Sequence, residues 1–167
     1  MKKQGFLIKL QKEGKISLVE PSEELKMSYL GKSDNCLKAA RILFDNRLWE
    51  NAVINAYYTM YNAVLALFFK VGIKSENHTA SLILLQELFH QNELADTLCD
   101  AKEERIDKQY YMESEKNVPL TEESVRDLII KAEDFAIRVK VCISKLNTND
   151  IEDVRKAFHL LFVFKKE

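Results

Sequence analysis

Apolar residues recur along most of this chain at steps of three and four, the spacing that lines one face of an α-helix. Pro21, Ser22, Glu23 and Glu24 form a start signal, with carboxylates placed at the positive end of the helix that follows. Leu25, Tyr29, Leu30, Leu37, Ala40, Leu43 and Phe44 then carry the stripe to an end near Asn46, with Gly31 a weak point inside it. Residues 48–69 form a second helix striped by Ala52, Ala56, Met60, Ala63, Val64, Leu67 and Phe68, and Val71-Gly72 closes it. Its other side carries Tyr57, Tyr58, Tyr61, Leu65 and Phe69. A helix apolar on nearly every side is either central to its fold or meets a second subunit, and a homodimer is the expectation.

Shorter helices follow over residues 79–89 and 93–109, and residues 110–120, with Asn117 and Pro119, read as a loop. Thr121-Glu122-Glu123 then caps the most regular helix of the chain, with Val125, Leu128, Ile129, Ala132, Phe135, Ala136, Val139, Cys142, Ile143 and Leu146 on its core face. A last segment starts at Asn149 or Asp150 and offers Ile151, Val154, Phe158, Leu161 and Phe162 for docking. The sum is an all-α fold: an antiparallel up-and-down bundle of four to five main helices with a short C-terminal helix. Residues 1–20 read as an N-terminal arm, 21–146 as the bundle and 147–167 as the C-terminal segment.

Composition narrows the picture. Only 4 Gly and 2 Pro occur among 167 residues, which favours long helices over a many-turned sheet. With 47% hydrophobic residues and 25 Lys plus Arg against 26 Asp plus Glu, the chain suits one ordered domain and lacks the charge excess of a broad phosphate-binding surface. Cys36, Cys99 and Cys142 are odd in number and widely spaced, which fits reduced thiols and a cytoplasmic setting. Residues 52–71 approach membrane-spanning length, but Asn55, Asn62 and three tyrosines interrupt them, so a buried helix and no membrane are expected.

Generic catalytic motifs are absent. There is no phosphate-binding glycine loop, dinucleotide fingerprint, nucleophile elbow or His-Glu-x-x-His helix, so neither a cofactor nor a metal is expected. His78, His90 and His159 lack metal-ligand spacing. One constellation remains. Arg105-Ile106-Asp107-Lys108-Gln109-Tyr110, followed by Tyr111, joins with Ala56-Tyr57-Tyr58-Thr59-Met60-Tyr61-Asn62-Ala63, the stretch from Gly14-Lys15-Ile16 to Glu20-Pro21, and His78 after Gly72. In order and spacing these resemble the HEPN family (higher eukaryotes and prokaryotes nucleotide-binding), in its compact prokaryotic branch, over roughly residues 15–146.

The resemblance implies a dimerising helical bundle, often paired with a minimal nucleotidyltransferase as a toxin–antitoxin system. Many family members are metal-independent ribonucleases whose motif is Arg, four to six residues, then His, brought together from two subunits. Here Arg105 matches the Arg, but Tyr110 stands where active members have His. Arg105 suits phosphate: its guanidinium donates paired hydrogen bonds and stays charged at neutral pH. An ordinary phenol, with a pKa of about 10, is protonated at pH 7 and can give a proton or orient phosphate rather than act as base. Five residues on a helix lie about 140° apart, so joint action of Arg105 and Tyr110 needs the helix to end near Gln109 or a partner subunit to contribute. Two functions are therefore expected side by side. One is an RNA-cleaving dimer using Arg105 and Tyr110, with Tyr57, Tyr58, Tyr61 and His78 lining its cleft or interface. The other is a non-catalytic module that binds a nucleotide or its nucleotidyltransferase partner, which modifies Tyr110 or Tyr111. A structural reading competes with both: Arg105 paired with Glu104 or Asp107, and the tyrosines packing the core.

Overall fold

The computed structural model describes the backbone of residues 2–110 and 120–162, with side chains at 3–105 and 120–162. Seven helices and one two-stranded sheet occur among them: α1 (Lys2–Lys12), β1 (Ile16–Leu18), α2 (Glu23–Asp45), α3 (Trp49–Val71), β2 (Ile73–Ser75), α4 (His78–Phe89), α5 (Asn92–Tyr110), α6 (Glu122–Lys145) and α7 (Thr148–Phe162).

The helices begin where side chains can satisfy the first unpaired amides. Ser22 accepts from Leu25 N–H at 3.1 Å to open α2. Thr121 and Ser124 form a reciprocal capping box at α6, and Asn147 and Asp150 bond each other's backbone amides at the start of α7. Helix α3 is the centre. The residues buried along it include Ala52, Ala56, Tyr57, Met60, Tyr61, Leu65 and Phe68, which covers its several faces at once. It is long and apolar enough to cross a membrane by length and composition, yet 72% of its apolar window is buried within the bundle. The all-round apolarity that suggested a second subunit on this helix is thus met inside one chain, by α2, α5 and α6. The buried Ser33 hydroxyl fastens α2 to it by donating to the Thr59 carbonyl at 2.7 Å.

The first twenty residues do more than an arm. Helix α1 has no acidic residue in its first turn and contains Gly5, so local propensity gives it little. It forms because Leu7 and Leu10 enter the core, while Gln4 donates to the Leu161 carbonyl of α7 at 3.1 Å. Strand β1 is three residues long and exists through its antiparallel partner β2, in register Ile16↔Ser75, Ser17↔Lys74 and Leu18↔Ile73. Such short pairings leave almost no periodic signal in a sequence.

Gly72 joins α3 to β2 at φ 76°, the left-handed conformation that spares glycine the clash of a Cβ. Here Arg155 reaches in from α7. Its Nη1 lies 2.8 Å from the Val19 carbonyl oxygen, 2.9 Å from that of Val71 and 3.2 Å from that of Gly72. Phe158, one turn further along α7, is buried in the core. These contacts fix the segment from which α4 departs.

Candidate functional site

Three separated stretches supply one cluster. On α3, Tyr57 and Tyr61 lie four residues apart and stack at 6.0 Å with ring planes 9° from parallel, while Tyr58 meets Tyr57 edge-on at 5.3 Å. Beyond Gly72 and β2, Asn77 adopts an extended backbone and accepts from Ala80 N–H at 2.9 Å. That cap starts α4 at His78, one residue before the start expected from the apolar pattern. The His78 ring lands on Tyr61, centroids 4.0 Å apart and 14° from parallel, and its Nδ1 hydrogen-bonds the Tyr57 hydroxyl. From α5, the Arg105 guanidinium lies over both Tyr57 and Tyr58, at 5.2 and 5.3 Å from the ring centroids. Such placement is a cation–π contact with both rings.

Burial grades the cluster from floor to rim. Tyr57 and Tyr61 are buried; Tyr58, His78 and Arg105 are partly exposed. Lys102, one turn before Arg105, donates from Nζ to the Thr79 hydroxyl at 2.9 Å and brings a second cation to the rim. Under the floor, Ser75 and Ser81 share a hydrogen bond of 2.8 Å, and Ser81 also donates to the Asn77 carbonyl at 3.1 Å.

The electrostatics follow from that placement. Burial pushes the Tyr57 phenol well above the ordinary range, with Tyr61 adding to the shift and Arg105 opposing it. Burial raises Tyr61 as well. His78 falls from 6.5 to about 4, first through burial and then through the charges of Arg105 and Lys102. At neutral pH the site therefore presents two cations, protonated phenols and an uncharged imidazole. The guanidinium and ammonium are the groups there suited to charge-assisted hydrogen bonds with an anion.

Of the site residues expected from the sequence, Arg105, Tyr57, Tyr58, Tyr61 and His78 come together. The Tyr110 side chain and all of Tyr111 lie outside the described residues. The α5 backbone stays helical through Tyr110, so positions 105 and 110 are about 140° apart around its axis, and an early helix end does not bring them together. Lys102 was missed; its signal was the three-residue step to Arg105, which puts both on one helix face. Among the described residues, no group of three or more His, Cys, Asp or Glu is arranged to hold a metal ion. A groove of about 420 Å³ runs between α5 and α6, with Leu94, Ala101, Leu128 and Phe135 in its walls. None of its lining residues belongs to the Arg105 cluster.

Known proteins are similar to this chain over much of its length. The family profile of the HEPN domain matches residues 27–142, which span α2 to α6 almost completely. A Methanocaldococcus jannaschii protein named "Putative toxin" is 29% identical over 113 residues, covering 66% of this chain and 82% of its own length. A "UPF0332 protein" of Archaeoglobus fulgidus is 25% identical over 127 residues, covering 74% of this chain and 98% of its own.

Proposed function

The chain belongs to the HEPN domain family, and on that premise we propose that it is the toxin-like member of a pair with a minimal nucleotidyltransferase, acting as a homodimer that cleaves RNA without metal. The toxin name of one relative supports the toxin-like part of this reading. The observation that carries the chemistry is Arg105 held over Tyr57 and Tyr58, with Lys102 one helical turn away. Two cations on one partly exposed rim suit a phosphodiester, and bases of a single strand can stack on the exposed part of Tyr58.

In the proposed reaction a ribose 2′-oxygen forms a bond to phosphorus as the bond from phosphorus to the 5′-oxygen breaks. The products are a 2′,3′-cyclic phosphate and a 5′-hydroxyl. Arg105 carries the charge that builds on the phosphate oxygens. The 2′-hydroxyl proton leaves to water, and Tyr110 of the second copy gives its phenolic proton to the departing 5′-oxygen before regaining one from solvent. Assigning Tyr110 to the second copy meets the 140° separation along α5. The exposed apolar stripe of Ile130, Ile137 and Val141 on α6 is the surface we assign to that copy.

The test is cleavage of an RNA panel in excess chelator by the wild-type chain, Arg105→Ala and Tyr110→Phe, beside an identically purified inactive control. Wild-type cleavage that falls at least 100-fold in Arg105→Ala is expected. Equal cleavage by wild type and Arg105→Ala refutes the site. Sedimentation should give a dimer that Ile137→Glu converts to monomer; a monomeric wild type at micromolar concentration refutes the shared arrangement.

A further inference from the structure

We propose that His78 is a substrate-contacting hydrogen-bond donor, its Nε2–H directed at a non-bridging oxygen of the phosphodiester held by Arg105. This deepens the RNA-cleaving reading and rests on it for the ligand.

The argument is a count of protons. The Tyr57 hydroxyl and Nδ1 of His78 share a hydrogen bond, which holds a single proton between them. The phenol is the more acidic of the two donors and a bare imidazole nitrogen the better acceptor, so the O–H gives and Nδ1 accepts. An imidazole nitrogen that accepts cannot carry the proton of the neutral ring, so that proton is on Nε2. The Tyr57 O–H bond to Nδ1 thus fixes the tautomer and makes Nε2 a donor. Stacking on Tyr61 at 4.0 Å fixes the plane of the ring. Its place as the first residue of α4, partly exposed and next to the Lys102–Thr79 bond, puts it on the same rim as both cations.

A neutral donor fits what this rim lacks. Arg105 and Lys102 already supply charge, and from α5 they oppose a positive charge on the His78 ring of α4; burial against Tyr57 and Tyr61 of α3 opposes it as well. A neutral imidazole still polarises an oxygen without being desolvated as an ion. No proton is transferred in this role, so the proton balance of the cleavage step is unchanged. The imidazole that α5 lacks at position 110 is supplied from α4, with a different task.

The experiment is nitrogen NMR of ¹⁵N-histidine-labelled and ¹⁵N-arginine-labelled full chain, free and with a 2′-O-methyl hexaribonucleotide that cannot be cleaved. The expected result is a neutral His78 with Nε2 protonated and Nδ1 bare, and an Nε2 signal that moves when the oligonucleotide is added. Tyr57→Phe keeps the ring and removes the O–H, so the two tautomers should then mix. Protonation on Nδ1 in the wild type overturns the proposal. So do oligonucleotide shifts at Arg105 without one at His78, while the RNA reading survives. No shift at either residue refutes the RNA reading and this assignment together. In the cleavage assay His78→Ala should lose about 100-fold in kcat, with His78→Gln, which retains an N–H near Nε2, recovering part of it. Full activity in His78→Ala also overturns the proposal.

Discussion

Acidification from pH 7 to pH 5 should destabilise this protein through His78. In the folded chain the imidazole stays neutral down to about pH 4, against 6.5 for an ordinary histidine, because burial and the two cations disfavour its charge. The unfolded chain protonates near 6.5. Between these values the unfolded state holds more protons, so stability present above pH 6.5 drains away as the pH falls towards 4. At about 1.4 kcal/mol per pH unit, the loss on reaching pH 5 has a ceiling of about 2 kcal/mol. His78 is only partly buried, and solvent screening reduces the expected loss to about 1 kcal/mol. The assay is urea unfolding of wild type and His78→Gln at both pH values. Gln does not titrate, so the difference between the two chains separates His78 from carboxylates that also begin to protonate. With a denaturant slope of about 2 kcal/mol per molar, the wild-type midpoint should fall by about 0.5 M more than that of the variant. Parallel midpoints would falsify the electrostatic account of the site.

Other substitutions test the frame around it. Gly72→Ala places a Cβ against the Val19 carbonyl and Arg155, and 2.9 Å from Pro21 N, at a φ that penalises any side chain; it should cost about 2–4 kcal/mol in urea unfolding. Removing Arg155 as well should not rescue it, because the Val19 oxygen is backbone. Ser33→Ala breaks the buried bond to Thr59 and should cost about 1 kcal/mol by the same assay. Thr121→Ala removes half of the α6 capping box and should lower stability in thermal unfolding by about 1 kcal/mol.

Helices α2, α3 and α6 were legible because their stripes run for more than twenty residues and their ends carry recognisable caps or glycine. Helix α1 and the strand pair were not, since packing and pairing across the chain hold them rather than local preference. The site shows the same division. Arg105, Tyr57, Tyr58, Tyr61 and His78 could each be picked out by chemistry, but nothing in the one-dimensional pattern shows that α4 starts on top of α3 with α5 beside it. The tyrosines of α3 also satisfied two readings, core and interface, and only the placement of α2, α5 and α6 shows how one chain covers them. His78 was set apart from Arg105 by 27 positions; the Asn77 cap was the local sign that it opened a helix.

The reach of Arg155 sets a schedule for synthesis. Ser33 and Thr59 are close enough in sequence for α2 and α3 to pair soon after both leave the ribosome. The carbonyls of Val19, Val71 and Gly72 must wait for residue 155, more than eighty positions after the turn they define. Until then the departure point of α4, and with it the seat of His78, lacks its last fastening. A nascent chain therefore carries its aromatic floor well before its rim is set. That order ties the finished rim to translation through residue 155.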